Sequence, residues 1–302
     1  MELNNKIDFF LVGAARCGTT SLYNYLNNCV DIFLPKVKEP NYFSEVDSPK
    51  SEDFEQPKLD ETYHSKIINS KEIYDSLYQN ANDNQLKGDT SPSYLWDKNT
   101  AKKLFNHNPK AKIIISLRHP IDRAYSHYIM NYYTGVDKSK TFIEALNSKK
   151  NEMWGSCNQY KEMSRYFEQV KEYYTVFPKD QIKIIVYEDW TKNIQNEIIE
   201  IFKFLNLNTN DEIEINQVNS NKIKPLKKVA LLNILRQNKI KSMIKKVLNQ
   251  DRVDTLKSFF FNDDKEIEKL DSISRDELSQ EFKKEIKMLS DLTQIDFITK
   301  WN

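Results

Sequence analysis

Residues 7–27 read IDFFLVGAARCGTTSLYNYLN, and this stretch decides the fold. Residues 7–12 are apolar apart from Asp8 and end against Gly13, the pattern of a short strand buried on both faces of a parallel sheet. Residues 19–27 continue as a helix, and Gly13 and Gly18 bracket a tight loop between the two. Glycines let the backbone turn sharply so that successive N–H groups converge, and the helix N-terminus behind them adds roughly half a positive charge. Strand, glycine loop and helix therefore make an anion cradle and open an α/β fold. The chain holds 5 glycines in 302 residues, where average usage would give roughly 21, so two in one loop mark a requirement.

Working outward, Lys112–Leu117 (KIIISL) reads as a second buried strand, and residues 121–133 as a helix opening just after Pro120. A third unit runs from a helix over about 160–177, through a turn at 178–180, into a strand over 181–189 (QIKIIVYED). Alternating helices and strands over the first 190 residues predict a mostly parallel, doubly wound sheet, an α/β fold of three layers, α/β/α. Past Asn193 the pattern turns helical, at 193–207, 226–237 and 277–292. The polar stretch 44–70 reads as a surface excursion, and the basic segment 239–246 as the solvated face of an amphipathic helix. One domain over 1–302 is expected, with a core at about 5–207 and a helical C-terminal extension at about 208–302.

Composition narrows the function. With 39% hydrophobic and 12% aromatic residues and a mean hydropathy of −0.70, the chain reads as a soluble globular protein. A net charge of +1 gives no global field, so a nucleic-acid partner held by bulk electrostatics is not expected. Cys17, Cys29 and Cys157 show no metal-ligand spacing and the four histidines make no HExxH pattern, so neither a structural metal nor a disulfide framework is expected. No signal peptide and no membrane span are legible, which points to the cytoplasm. The bias to Lys, Asn and Ile suggests an AT-rich bacterial genome.

The anion loop is not a nucleotide triphosphatase loop. GxxxxGK[ST] requires lysine after the second glycine, where this chain has Thr19. Its cation is Arg16, two residues before Gly18, and Thr19, Thr20 and Ser21 follow with hydroxyls. RCGTTSL resembles the 5′-phosphosulfate loop, [KR]xGTTxL, of sulfotransferases that use 3′-phosphoadenosine 5′-phosphosulfate (PAPS). The stretch 118–128, RHPIDRAYSHY, is similar to the same family's 3′-phosphate segment, RxPxxRxxSxY. The physics agrees. Arg118 leaves a strand at the sheet's C-terminal edge, where ligands bind in open α/β sheets, and a guanidinium with the Ser126 hydroxyl can share one phosphate. Arg123 serves either the phosphate or a structural acid.

The resemblance spans nearly the whole chain. It implies a P-loop NTPase-like fold, PAPS as donor with no metal, and a small-molecule or glycan acceptor with no nucleic acid. Residues 88–95, GDTSPSYL, look like the family's acceptor-side segment and nominate Asp89, Ser91 and Tyr94. Residues 164–170 look like a family helix and nominate Tyr166 for the cofactor, while YED at 187–189 matches a strand end. Residues 218–225 resemble a nucleotide-covering loop, with Lys222 and Lys224, and the ending DLTQIDFITKW resembles the family's last helix and tryptophan. In 34–43, LPKVKEPNYF matches the KExxxF element, whose glutamate is the general base in glycan-type members, so the resemblance makes Glu39 the base. The plainer reading of Glu39 is an exposed loop acid paired with Lys36 or Lys38.

Sulfuryl transfer needs a base, in-line placement and positive charge on the departing phosphate. Arg16 fills the last role, with the loop residues Cys17, Gly18, Thr19, Thr20 and Ser21, and Lys38 is a second cation. Cys17 at a helix N-terminus is expected to have a lowered pKa but reads as a loop residue, and His127 reads as structural. The acceptor is expected to be a hydroxyl, with an amine as second choice, recognised by loops 44–70 and 135–159 and by rings among Tyr94, Tyr132, Tyr133 and Trp154. A P-loop kinase-like phosphotransferase and a non-catalytic nucleotide-binding protein are the rival readings.

Overall fold

A computed structural model describes residues 6–45, 68, 70–152, 154, 157–207 and 270–301. Five parallel strands form one sheet in the order β2-β3-β1-β4-β5: β1 is Phe9–Gly13, β2 Ile32–Phe33, β3 Leu86–Asp89, β4 Lys112–Leu117 and β5 Ile182–Val186. Phe9 pairs with Gly88 on one side and with Lys112 on the other, so the strand that feeds the glycine loop is central. All five β1 residues are buried, which is why the stretch is continuously apolar.

Alternation along the strands divides the core into two layers. Phe9, Leu11, Ile114 and Ile185 face α1 (Thr19–Asn27) and α9 (Ile194–Leu205), packing on Leu22, Leu26, Ile198, Ile201 and Phe202. Phe10, Val12, Ile113, Ile115 and Leu117 face the other way, onto Tyr74 of α2 (Lys71–Ser76), Tyr94 and Leu95 of α3 (Ser93–Trp96), Leu104 of α4 (Thr100–His107) and Val170 of α7 (Tyr166–Val176). Fully burying each such side chain is worth about 1.5–3 kcal/mol. The remaining helices are α5 (Pro120–Tyr133), α6 (Phe142–Asn147), α8 (Tyr187–Trp190), α10 (Ser272–Thr293) and α11 (Phe297–Lys300). The three-layer α/β/α reading stands, and the helix expected at 277–292 lies inside α10.

Two expectations need correction. The strand read through 181–189 stops at Val186, and Tyr187–Trp190 forms a helical turn closed by Thr191 N–H on the Tyr187 carbonyl. Glu188 forces the change: one oxygen accepts from the His119 amide at 2.9 Å and the other from the Trp301 indole at 3.0 Å. The helix read over 160–177 begins as a 3-10 turn at Glu162–Ser164 and becomes α-helical only at Tyr166. There the Ser164 hydroxyl donates to the Tyr160 carbonyl at 3.0 Å and accepts from Arg123 at 2.6 Å. The predicted helix 226–237, the basic segment 239–246, most of 44–70, and Lys222 and Lys224 lie outside the described residues.

Candidate active site

The loop after β1 is fastened to β4. Ala14 N–H donates to the Ser116 carbonyl at 2.7 Å, and the Ser116 hydroxyl donates to the Cys17 carbonyl at 2.6 Å. With its carbonyls turned into the protein, the loop leaves α1 beginning at Gly18 with no side-chain cap, and the first amides of a helix have no intrahelical partner. Arg16 and Gly18 both take left-handed backbone, φ 72 and 81. At Gly18 a Cβ would stand 2.3 Å from Trp190 Cζ2, so glycine is required by packing as well as by φ.

Three arginines converge on this loop. The Arg16 guanidinium donates to Ser126 Oγ from Nε at 3.3 Å and from a terminal nitrogen at 3.2 Å, and approaches Met130 Sδ at 3.5 Å. The two phosphate segments, separated by 110 residues, thus meet side chain to side chain. Arg118 lies over the Tyr187 ring at 4.7 Å, and its carbonyl accepts from the Tyr166 hydroxyl at 3.0 Å. Arg123 is fully buried; it donates to Ser164 Oγ, to the Tyr160 carbonyl at 2.7 Å and to the Ala15 carbonyl at 3.4 Å. These Arg123 contacts are architectural and go to neutral oxygens, not to the structural acid that one of its two expected roles would supply. Burial lowers the Arg16 pKa, and the neighbouring charges of Arg118 and Arg123 lower it further. Among the described residues none of these three arginines has a carboxylate partner, whereas Arg165 pairs with Glu281 at 2.6 Å and Arg275 with Asp122 at 2.7 Å. A buried cation without an acid is costly, and an arriving anion relieves that cost.

Cys17 departs from expectation. Burial pushes its thiol up to about 11, outweighing the helix terminus, so it remains a protonated loop residue beside Tyr166. His127 is buried on Tyr160, and burial followed by the charges of Arg123 and Arg16 holds its pKa well below the usual range. It is a neutral ring in the core. Thr19 is buried, Ser21 half-buried and Thr20 exposed at the start of α1.

On the β2–β3 side, Glu39 and Lys38 form a buried ion pair. Glu39 is therefore paired, as the plainer reading held, but it is not exposed. Its φ of 63 and that of Asn41 at 55 are left-handed, a conformation that costs a non-glycine residue about 1–2 kcal/mol and is found at functional sites. Asp89, Ser91 and Tyr94 are each fully buried and bonded to one another and to this loop. Trp154 packs with Cys157 and Met163 against Ala15 of the glycine loop and Trp96. Ser116, Glu188, Trp190 and Asn41 were not nominated from sequence. For Asn41 a signal exists, since Asn tolerates the left-handed region.

Among the described residues no group of acids, histidines and cysteines could hold a metal ion, and no helix is long and apolar enough to cross a membrane.

Comparison with known proteins follows the same lines. Residues 6–284 match the sulfotransferase domain family. A crystal structure of a sulfotransferase from Alicyclobacillus acidocaldarius is 25% identical and superposes with a TM-score of 0.70, covering 98% of both chains. The sulfotransferase domain from the curacin biosynthetic pathway shares the fold at 15% identity and a TM-score of 0.50, over 92% of this chain and 97% of that one. Mouse carbohydrate sulfotransferase 15 is 23% identical over 245 residues, 66% of this chain. The matched stretch spans 43% of that relative's length.

Proposed function

The chain belongs to the sulfotransferase family, and on that premise we propose that it transfers the sulfuryl group of PAPS to a hydroxyl of a carbohydrate or small-molecule acceptor. The observation that carries the reading is that Arg16 and Arg118, with no ion pair among the described residues, stand at an uncapped helix N-terminus with buried Arg123 behind them. Such a site favours a ligand with two anionic groups. Arg118 and Ser126 take the 3′-phosphate. Arg16, the loop amides and the hydroxyls of Thr19, Thr20 and Ser21 take the phosphosulfate, with Tyr166 and Cys17 packed beside the loop.

In the reaction the acceptor oxygen forms a bond to sulfur while the bond from sulfur to the bridging phosphate oxygen breaks. The electron pair leaves with 3′,5′-adenosine diphosphate, and the acceptor proton passes to Glu39. Arg16 stabilises the charge that develops on the leaving phosphate, and being arginine it stays protonated throughout. Lys38, paired with the Glu39 carboxylate, orients it toward the acceptor. A carbohydrate is the first acceptor class, because the glutamate base resembles the glycan-type branch and a relative is named a carbohydrate sulfotransferase.

The test is incubation with PAPS and a panel of saccharides and small hydroxylated compounds, read by mass spectrometry for the gain of one SO3. Wild type should modify a panel member, and Glu39→Gln should keep nucleotide affinity while turnover falls by about 10²–10⁴-fold. Wild-type turnover in that variant would remove Glu39 as base.

A further inference from the structure

The strongest buried charge outside the arginine cluster is Asp89, at the C-terminal end of β3 and fully inaccessible. Among the described residues it forms no ion pair with a cation. One carboxylate oxygen accepts the Ser91 hydroxyl at 2.7 Å; the other accepts the hydroxyls of Tyr74 at 2.8 Å and Tyr94 at 2.7 Å. Burial pushes its pKa up to about 6, against the pull of those hydroxyls, and the nearby Glu39 charge adds a smaller push. Tyr78 of the same shell gives its hydroxyl to the Gly88 carbonyl at 3.2 Å.

What the carboxylate does is set by Ser91. Because Ser91 gives its proton to Asp89, its lone pairs face the other way, and one accepts the Asn41 amide at 3.0 Å. That bond uses the Asn41 backbone N–H; its side chain donates to the Glu39 carbonyl at 2.8 Å and accepts from Ser93 Oγ, at the start of α3, at 2.7 Å. The Phe43 amide reaches the Tyr94 hydroxyl at 3.5 Å, so the loop is anchored a second time to a residue that Asp89 orients. The path Asp89–Ser91–Asn41–Glu39 crosses 50 residues of sequence between Asn41 and Ser91 and ends on a residue held at φ 63.

We infer that Asp89 is a positioning residue for the base: through Ser91 and Asn41 it locks the loop over residues 38–43 and holds Glu39 in its left-handed conformation. Its contacts are all internal, so its effect on the acceptor passes through Glu39. The inference rests on the sulfotransferase reading for what Glu39 does, but the locking itself is independent of it.

Ser91→Ala cuts the link while leaving Asp89 with its two tyrosines, and Asp89→Ala removes the anchor; the first guards against a folding failure in the second. Two readouts are needed. Hydrogen exchange should show the Asn41 amide about tenfold less protected in Ser91→Ala, a measurement that needs no acceptor. With PAPS and an accepted substrate, kcat should fall about 10- to 100-fold with KM for PAPS within about twofold. Wild-type protection of Asn41, or lost protection with unchanged kcat, would overturn the inference. Failure of the underlying reading would look different: no sulfuryl transfer by wild type, or full turnover by Glu39→Gln, while the exchange result still decides whether Asp89 and Ser91 hold the loop.

Discussion

Two clusters of buried charge face each other in logic at the C-terminal edge of the sheet. Around the glycine loop, Arg16 and Arg118 form no ion pair among the described residues, and the charges of Arg118 and Arg123 depress the Arg16 pKa. At the end of β3, Asp89 is fully buried and its oxygens are filled by Ser91, Tyr74 and Tyr94, just as the donors of buried Arg123 are filled by Ser164 and by the Tyr160 and Ala15 carbonyls. The difference separates two uses of a buried charge. A charge whose partners come from the fold is architecture, and a set of like charges without counter-ions is a site built for something that arrives.

The contrast can be broken most severely at Arg16. Arg16→Ala or Arg118→Ala should each weaken binding of 3′,5′-adenosine diphosphate by about 1.5–3 kcal/mol, the worth of a charge-assisted hydrogen bond, or about 10- to 100-fold. Unchanged affinity by calorimetry would remove that arginine from the site. At the other cluster the effect should appear in stability. The Asp89 pKa is raised from 3.8 to about 6, so the folded protein holds a proton there that the unfolded chain has lost. That contribution is fully present below about pH 4 and is lost as pH rises through about 6. Asp89→Asn should therefore flatten the fall in thermal stability between about pH 4 and 7; an unaltered pH slope would mean that Asp89 does not titrate in that window. The smallest effect is expected at Arg165, whose bridge to Glu281 is part-exposed. Arg165→Ala should cost no more than about 1 kcal/mol of stability and leave nucleotide affinity unchanged, because its charge is already answered.

How far sequence reading reached follows from the range of each interaction. The central strands β1 and β4 and the helices after them are legible because strands buried on both faces are continuously apolar and the glycine loop joins its strand and helix within a few residues. β2 has only two residues, too few for any period. The end of β5 before Tyr187 is not legible locally, because the turn there carries Glu188, which bonds to His119 and Trp301, 69 and 113 residues away. The same division holds in the site. Arg16, Arg118 and Ser126 stand in local motifs, with Arg16 bonded to Ser126 and Arg118 over Tyr187, whereas the role of Arg123 depends on the Tyr160 carbonyl and Ser164, and Asn41 on a serine 50 residues later. Neither leaves a mark in local spacing. Cys17 shows the limit of a local electrostatic argument, since complete burial reverses what its helix terminus suggests.

On the proposed function, Arg16 and Arg118 bind a nucleotide that carries a 3′-phosphate, and they do so without a metal. Isothermal titration with 3′,5′-adenosine diphosphate, in parallel with ATP and with ATP plus magnesium, tests it most directly. 3′,5′-Adenosine diphosphate should bind without magnesium, about 10-fold or more tightly than either form of ATP. Preference for magnesium ATP would contradict it and return the glycine loop, with Thr19 at the position of the missing lysine, to a phosphate-transferring enzyme.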